Sequence, residues 1–356
     1  MRSAPLRRRA LSHVSALLLG CGLLIRFPGS AQALVITPIF DKTITSLSNA
    51  STVEGAIDQA ISALDRDFTS GANIKIDFSW GAVDGQKVAS GDVSESISYL
   101  YTGFTYADIK SDLAAAAATN PTDSALVSAV AHLPATDPTG LNSFSITEAE
   151  AQALGLTPPT GMGTVGYVGF NSSDSFSFNP NITPSGEYDF IALAEHEITE
   201  VMGRLSGLSS AKPAYATPYD LFRYSAVGKH SFSYSSAAYF SVNGGLTNLG
   251  SFDSTGSGDR GDWLTTSTTT DEFDATATKG GVMTLSAADL TALNALGWDT
   301  TNNPGGWVTS DIASTASVAP GGDWVPEPGA WCLLIVGAGL AGANLRRRRV
   351  SGAQVV

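Results

Sequence analysis

Cysteine is almost absent from this sequence of 356 residues, which contains only Cys21 and Cys332. Both lie in apolar stretches near the ends of the chain. The body between them therefore has neither a disulfide framework nor a thiolate metal site. A metal ion in the body would need histidine and oxygen ligands. Histidine is scarce as well, with four residues in the whole chain.

Positive charge is also scarce in the body. Nine of the 20 lysines and arginines lie in the first 33 residues or at positions 346–349, which leaves 11 basic residues in the body against all 33 acidic residues. An acidic surface repels phosphate backbones and anionic lipid headgroups. We therefore expect no nucleic-acid partner.

The first 33 residues have the layout of a secretory signal. Arginines at positions 7–9 precede an apolar run from Val14 to Ile25, and Ala31-Gln32-Ala33 supplies an A-x-A cleavage site. The mature chain should begin near Leu34. A twin-arginine signal built on positions 7–9 is the second interpretation.

The other end of the chain has three parts in a fixed order. Pro326, Glu327 and Pro328 precede an apolar stretch at 329–345, and residues 346–349 are four arginines. The apolar stretch is short for a permanent transmembrane segment but sufficient for a transient one, and the arginines place its end in the cytoplasm. An ordinary tail anchor is the alternative.

This tail, residues 325–350, closely resembles the PEP-CTERM sorting signal of Gram-negative bacteria. The resemblance implies recognition by an exosortase, processing near the Pro-Glu-Pro motif and transient anchoring in the inner membrane. It also implies export to the outer envelope, the extracellular matrix or the medium. Residues 301–324, which are polar and contain glycine and proline, should be a linker to the tail.

Residues 196–200 read His-Glu-Ile-Thr-Glu, one substitution away from the zinc-peptidase motif H-E-x-x-H. His196 and Glu200 are one helical turn apart, where both can bind one zinc ion. Glu197 points about a quarter turn away, which suits a general base. A solvated polar helix face is the alternative. The helix itself is predicted from an apolar stripe on its other side, formed by Ile191, Ala194, Ile198, Val201 and Leu205.

The third metal ligand is left open by spacing. Asp220 follows Glu200 by about the interval at which thermolysin-type enzymes place a downstream carboxylate, and His230 would supply a second nitrogen. We rank Asp220 slightly ahead. Asp220 could instead cap the segment 221–223, and His230 could be a surface residue of a polar loop.

Helices and strands alternate before the metal motif. Patterning predicts helices at 53–67 and 106–118 and strands at 73–80 and 163–170, and therefore an α+β lobe. After Gly207 the chain is rich in serine, threonine, glycine and aspartate. A last helix is predicted at 287–296, with Ser286 as its N-cap.

The order of metal helix, irregular lobe, Met283 and final helix resembles the metzincin layout. More narrowly, the segments 188–190, 196–204, 220–224 and 261–263 resemble a family of PEP-CTERM-associated metalloproteases. The resemblance implies a zincin-like α+β domain at 34–300, with an N-terminal lobe at 34–206 and a C-terminal lobe at 207–300. A twisted sheet would lie above the active-site helix, and Met283 would form a Met-turn beneath the metal.

One departure from the metzincin pattern is Ser206, which occupies the position of the third ligand and is a poor ligand for zinc. Calcium could bind Asp253, Asp259 and Asp262, although a solvated loop explains these residues more simply. The implied enzyme is a monomer that acts on a protein or peptide substrate.

The expected function is hydrolysis of peptide bonds by a secreted zinc-dependent endopeptidase. Zinc, or another divalent metal, would lower the pKa of a bound water molecule, and Glu197 would accept its proton. Because Glu200 is anionic, the zinc should be a weaker Lewis acid than in a two-histidine site. Two alternatives remain, namely an inactive zincin-fold protein of the cell surface or biofilm matrix, and an acidic adhesive protein without metal.

Overall fold

The computed structural model describes residues 33–158, 163–209, 215–256, 258–266 and 270–301. The predicted signal peptide, nearly all of the predicted linker and the sorting tail lie outside these residues. Within them, no helix is both long and apolar enough to cross a membrane. The predicted transient span at 329–345 is not among them.

The structure is a mixture of helices and short strands, as predicted. The described residues form seven α-helices: α1 (Lys42–Thr45), α2 (Ala50–Asp67), α3 (Tyr106–Thr119), α4 (Ser124–Ala131), α5 (Glu148–Ala153), α6 (Phe190–Val201) and α7 (Ala287–Ala295). The strands are β1 (Val35–Phe40), β2 (Asn73–Trp80), β3 (Ala82–Val83), β4 (Gln86–Lys87), β5 (Ser94–Ser98), β6 (Leu100–Phe104), β7 (Phe144–Thr147), β8 (Thr164–Phe170), β9 (Phe176–Ser177), β10 (Tyr188–Asp189), β11 (Arg223–Ala226), β12 (Lys229–His230), β13 (Tyr239–Phe240) and β14 (Gly250–Ser251).

The main sheet has four strands in the order β1-β2-β8-β5. The first three are parallel, and β5 runs antiparallel to β8. Strand β2 alternates as its sequence predicts, because Ile74, Ile76 and Phe78 are buried at every second position. The parallel register pairs Trp80 with Phe170, so both aromatic rings lie at the same end of the sheet.

Helix α6, hereafter the site helix, packs against β5, β8 and α2. A glycine in β8 permits this close approach. A Cβ atom at Gly166 would lie 2.7 Å from Cγ1 of Val201 in the site helix. The side chain of Asp189 caps the start of the site helix by accepting a hydrogen bond from the Ala192 N–H, and its other oxygen accepts from the Met283 N–H.

The site helix is shorter than its apolar stripe predicts. It ends at Val201, and Gly203 has a φ of 120°. The N–H of Gly203 donates to the Glu200 carbonyl and that of Arg204 to the Thr199 carbonyl. These two bonds are the Schellman pattern, which uses a glycine to end a helix. The turn brings Arg204 back alongside the last turn of the helix.

The site helix also differs from the prediction in its exposure. The apolar stripe predicts one buried face opposite the metal-site residues, with a solvated polar face as the alternative, but all twelve residues of the helix are buried. The polar side is covered by Asp262, Glu272 and Phe273, which contact His196 or Arg204. Its contacts are made by residues far along the chain, which helical periodicity does not reveal.

The C-terminal region has a second, antiparallel sheet in the order β12-β11-β13-β14 and the final helix α7. Ser286 caps α7 as predicted, in a capping box with Asp289. The Trp298 indole N–H donates to the Met202 carbonyl at 2.8 Å and ties the end of the chain body to the end of the site helix. The α+β class is therefore confirmed, whereas a zincin-like fold stays a prediction.

Candidate metal centre

Three ligand-type side chains meet beside the site helix. Nε2 of His196 lies 3.6 Å from Oε1 of Glu200 and 3.7 Å from Oδ1 of Asp262. One ligand atom of each residue lies within 4.8 Å of the other two. No other set of this kind occurs among the described residues. All three residues are at most 1% exposed.

The imidazole of His196 is oriented for ligation. Its Nδ1 lies 2.6 Å from the Glu272 carbonyl oxygen, which can only accept, so the proton is on Nδ1. Nε2 is buried, makes no hydrogen bond and points at the two carboxylates. A metal-binding histidine commonly donates its other ring N–H to a backbone carbonyl, which fixes the tautomer in this way.

Arg204 lies against the same two carboxylates. Its Nη2 donates to Oε1 of Glu200 at 3.2 Å, and its Nη1 donates to Oδ1 of Asp262. Further donors reach Oγ1 of Thr199 and the His196 carbonyl, both at 3.2 Å. The guanidinium is completely buried.

Strand β5 contributes a side chain to the site. The Ser96 hydroxyl donates to Oε2 of Glu200 at 2.8 Å. Because Oε1 accepts from Arg204, the Glu200 carboxylate is oriented through both oxygens, from two different elements. No local pattern marks Ser96 in the sequence, since a serine in a strand has no distinctive spacing.

Asp262 comes from a tight loop after β14. The loop is closed by an antiparallel bridge between Phe252 and Trp263 and by a hydrogen bond from the Asp253 N–H to the Asp262 carbonyl. Oδ2 of Asp262 is buried without a hydrogen-bond partner. This orphaned oxygen, next to an orphaned imidazole nitrogen, is the observation that a bound cation would explain.

The charges of the cluster are strongly coupled. Burial and the Arg204 charge lower the pKa of His196, but Asp262 and Glu200 outweigh both and raise that pKa to about 9. Burial raises the pKa of Asp262 to about 6, although Arg204 and His196 oppose the shift. In the absence of a cation, the cluster therefore takes up protons to balance its carboxylates.

The donor set fits zinc. Zinc accepts one imidazole nitrogen and two carboxylate oxygens at about 2.0–2.2 Å, which places neighbouring ligand atoms of a tetrahedral site about 3.4 Å apart. The observed separations of 3.6 and 3.7 Å are close to this spacing without rearrangement of the backbone. Glu197 lies on the same helix between the two helical ligands and is completely buried.

Asp220, the preferred third ligand in the sequence analysis, is not part of the cluster. Its Oδ1 accepts from the Ser206 hydroxyl at 2.6 Å, and its Oδ2 accepts from the N–H groups of Gly207 and Thr217. The carboxylate thus holds together the turn after the site helix. Ser206 is at the third-ligand position of the metzincin pattern, and its hydroxyl donates to Asp220.

His230, the alternative third ligand, also lies elsewhere. It is in β12, where its ring packs 4.3 Å from the ring of Tyr224 and is parallel to that of Phe232. Burial lowers the pKa of His230, which favours the neutral ring. Met283 packs at the margin of the core, and its backbone N–H is bound to Asp189.

The three aspartates that could bind calcium, Asp253, Asp259 and Asp262, differ in their surroundings. Asp253 accepts hydrogen bonds from Thr255, Gly258 and Arg260, so both of its oxygens are occupied. Burial raises the pKa of Asp259 well above its ordinary value, with Asp262 and Glu200 adding to the shift. The three aspartates are buried, contrary to the expectation of a solvated loop, whereas Thr255 and Gly256 of the same loop are exposed.

Comparison with known proteins bears on the tail. Residues 325–349 match the PEP-CTERM protein-sorting motif. The chain carries a PEP-CTERM sorting signal. The protein is therefore exported and processed at the cell envelope, and the signal implies recognition by an exosortase during sorting. No curated protein and no solved structure matches the chain, so the resemblance of residues 34–300 to a metalloprotease family has no support from these comparisons.

Proposed function

We propose that this PEP-CTERM protein is an exported zinc-dependent peptidase with His196, Glu200 and Asp262 as its metal ligands. The observation that carries the proposal is the meeting of these three buried side chains around an unpartnered imidazole nitrogen. The sequence analysis predicts the first two ligands, and the geometry favours Asp262 over Asp220 and His230 as the third.

The neighbouring groups suit hydrolysis. A zinc ion held by this set would polarise a scissile carbonyl and make a water molecule more acidic. Glu197 lies between the two helical ligands in sequence, directly after His196 and three residues before Glu200. We assign it the role of general base, which accepts a proton from water and passes it to the leaving amine.

The Glu197 side chain provides the decisive test. A general base stabilises the transition state and contributes little to metal binding, so Glu197→Gln should keep the zinc stoichiometry of the wild type. Proteolysis of an unfolded protein substrate should fall by about two to four orders of magnitude. Zinc content measured by atomic emission and peptide-bond cleavage measured on the same samples separate the two effects.

His196→Ala is the matched variant for the metal itself. It should lose both zinc and proteolysis, and zinc should no longer raise its thermal unfolding temperature. A wild type that contains no zinc after purification and takes up none from solution would refute the metal centre. A Glu197→Gln variant as active as the wild type would refute the assigned base while leaving the metal centre in place.

A second candidate function follows from the closed state of the site. His196, Glu197, Glu200 and Asp262 are at most 1% exposed, so a substrate reaches them only if covering segments move. A protein with a metal-stabilised fold that acts as a binding or matrix component of the cell surface needs no such access. Zinc binding without cleavage of any protein substrate would favour this second function.

A further inference from the structure

Arg204 is bound more completely than an ordinary counter-ion of two carboxylates. Its guanidinium makes hydrogen bonds to Thr199, His196, Glu200 and Asp262 and stacks over the Phe273 ring, with 4.2 Å from Cζ to the ring centroid. The Schellman turn at Gly203 fixes the backbone from which the side chain starts. The position of the guanidinium is therefore set by the site helix and the Phe273 ring as well as by the two carboxylates.

Arg204 compensates part of the negative charge of the three proposed ligands. A common peptidase site has two neutral imidazoles and one carboxylate, so its ligands carry one negative charge. Here the ligands are one imidazole and two carboxylates, which carry two negative charges. The guanidinium cancels one of them and restores the total of a two-histidine site.

The geometry allows the two carboxylates to accept hydrogen bonds from Arg204 and to bind the metal at the same time. An ionised carboxylate oxygen has two lone-pair sites, so Oε1 of Glu200 and Oδ1 of Asp262 can accept from Arg204 and also face Nε2 of His196. The planar fork of the guanidinium bonds each carboxylate with a different nitrogen. It therefore fixes their separation, which a lysine ammonium would do less well.

We propose that Arg204 is a positioning residue of the metal centre and that, together with Glu200, it takes the place of a second histidine. The proposal rests on the metal centre proposed above. It explains why a glutamate is tolerated at the position of the second histidine. It also predicts that the arginine and the glutamate must be exchanged together.

Four forms of the full chain test this pairing: the wild type, Glu200→His, Arg204→Met and the double variant. Zinc dissociation constants are measured by competition with a chelator. Glu200→His alone should bind zinc at least about tenfold more weakly than the wild type, because the buried arginine charge then faces a metal with too few anionic ligands. Adding Arg204→Met to Glu200→His should recover most of that loss.

The change in zinc affinity when Arg204→Met is added to Glu200→His separates a positioning role from a purely structural one. If Arg204 only supports the fold, Arg204→Met weakens zinc binding in the Glu200→His background, and the proposal is overturned. Arg260→Met is the matched control, since Arg260 is another buried arginine paired with a carboxylate, that of Asp253. It should lower the unfolding temperature and give no recovery of zinc binding in the Glu200→His background.

Two comparisons remain decisive even if Arg204→Met does not fold. If Glu200→His binds zinc more tightly than the wild type, the arginine does not replace a histidine and the inference fails. Arg204→Lys in the Glu200→His background should give no recovery, because it keeps the positive charge. Absence of zinc binding by the wild type refutes the metal centre itself, whereas normal zinc binding with the opposite sign in these comparisons refutes only the role of Arg204.

Discussion

A buried carboxylate can bind a metal where one of its oxygens keeps a free lone-pair site that faces the other ligands. Asp220 and Asp262 are both completely buried, yet their surroundings differ. Asp220 receives donors from Ser206, Gly207 and Thr217, whereas Oδ2 of Asp262 receives none. This difference is the reason to propose Asp262 as the ligand instead of Asp220, which sequence spacing favours.

The two aspartates should therefore respond differently to the same substitution. Asp262→Asn should lose most of the bound zinc. Asp220→Asn should keep the zinc but lower the free energy of unfolding by about 1–3 kcal/mol, because a charged acceptor of several buried hydrogen bonds is lost. Zinc analysis and chemical denaturation of the two variants give the comparison. Loss of zinc from Asp220→Asn with retention by Asp262→Asn would reverse the ligand assignment.

At the scale of elements, the site depends on how closely the site helix approaches the main sheet. The contact is made where Gly166 of β8 faces Val201 of the site helix. Strand β5, at the edge of the same sheet, supplies the Ser96 hydroxyl that holds Glu200. A shift of the site helix away from the sheet would break the hydrogen bond between Ser96 and Glu200.

A methyl group at this contact should disturb both stability and the metal centre. A Cβ atom at Gly166 would lie 2.7 and 2.8 Å from the two Cγ atoms of Val201 and 2.9 Å from the Ile97 carbonyl oxygen. Gly166→Ala should lower the free energy of unfolding by about 1–3 kcal/mol through overpacking and should weaken zinc binding. Adding Val201→Ala should restore part of both. No restoration would show that the contact with Ile97 dominates.

Two buried acids in or just before strand β5 should make the stability of the fold depend on pH. Burial raises the pKa of Glu95 to about 7, with a backbone hydrogen bond at Ala89 opposing and Asp92 adding to the shift. Burial likewise raises the pKa of Asp92 to about 6. The folded protein thus keeps protons that the unfolded chain has lost. Stability from these groups is present below their ordinary pKa values and is lost as the pH rises through about 7.

Glu95→Gln should remove part of this loss. In the presence of a chelator at pH 8, the variant should unfold at a higher temperature than the wild type. Its free energy of unfolding should be larger by at most about 3 kcal/mol. The two proteins should converge near pH 4. Asp58→Asn, which changes an exposed acid of α2, is the control and should leave the pH profile unchanged. A Glu95→Gln variant less stable than the wild type at pH 8 would contradict the shift.

At the scale of the whole molecule, the chain divides into a folded body and a sorting tail with a different fate. The body begins immediately after the predicted signal cleavage site, because Leu34 is buried and β1 starts at Val35. The PEP-CTERM motif at 325–349 lies beyond the last described residue. The sorting motif is therefore separate in sequence from the described helices and strands.

Intact-mass analysis of protein from the native host should show both ends removed. We expect a mature chain that begins near Leu34 and ends near the Pro-Glu-Pro motif, since both ends have the features of processing signals. A chain in which the Pro-Glu-Pro motif is replaced by alanines is the control and should retain the four arginines at 346–349. Retention of these arginines in the wild type would contradict processing by an exosortase.

The sequence alone determines the features whose signal is local. Strand β2 has the predicted bounds, 73–80, because alternation repeats every two residues. The pair His196 and Glu200 is recognisable because one helical turn separates them. The sorting tail is recognisable because its three parts follow one another directly. Each of these patterns depends on neighbours in the chain and needs no knowledge of the fold.

Only the tertiary structure decides the rest of the centre. Asp262 lies 58 residues after Arg204 and reaches it through the closure of a loop. Arg204 reaches the carboxylates because Gly203 ends the helix and turns the backbone. The burial of the whole site helix comes from segments distant in sequence. Contacts between distant segments have no periodic pattern, so the proposed third ligand and its counter-charge become visible only when the chain is folded.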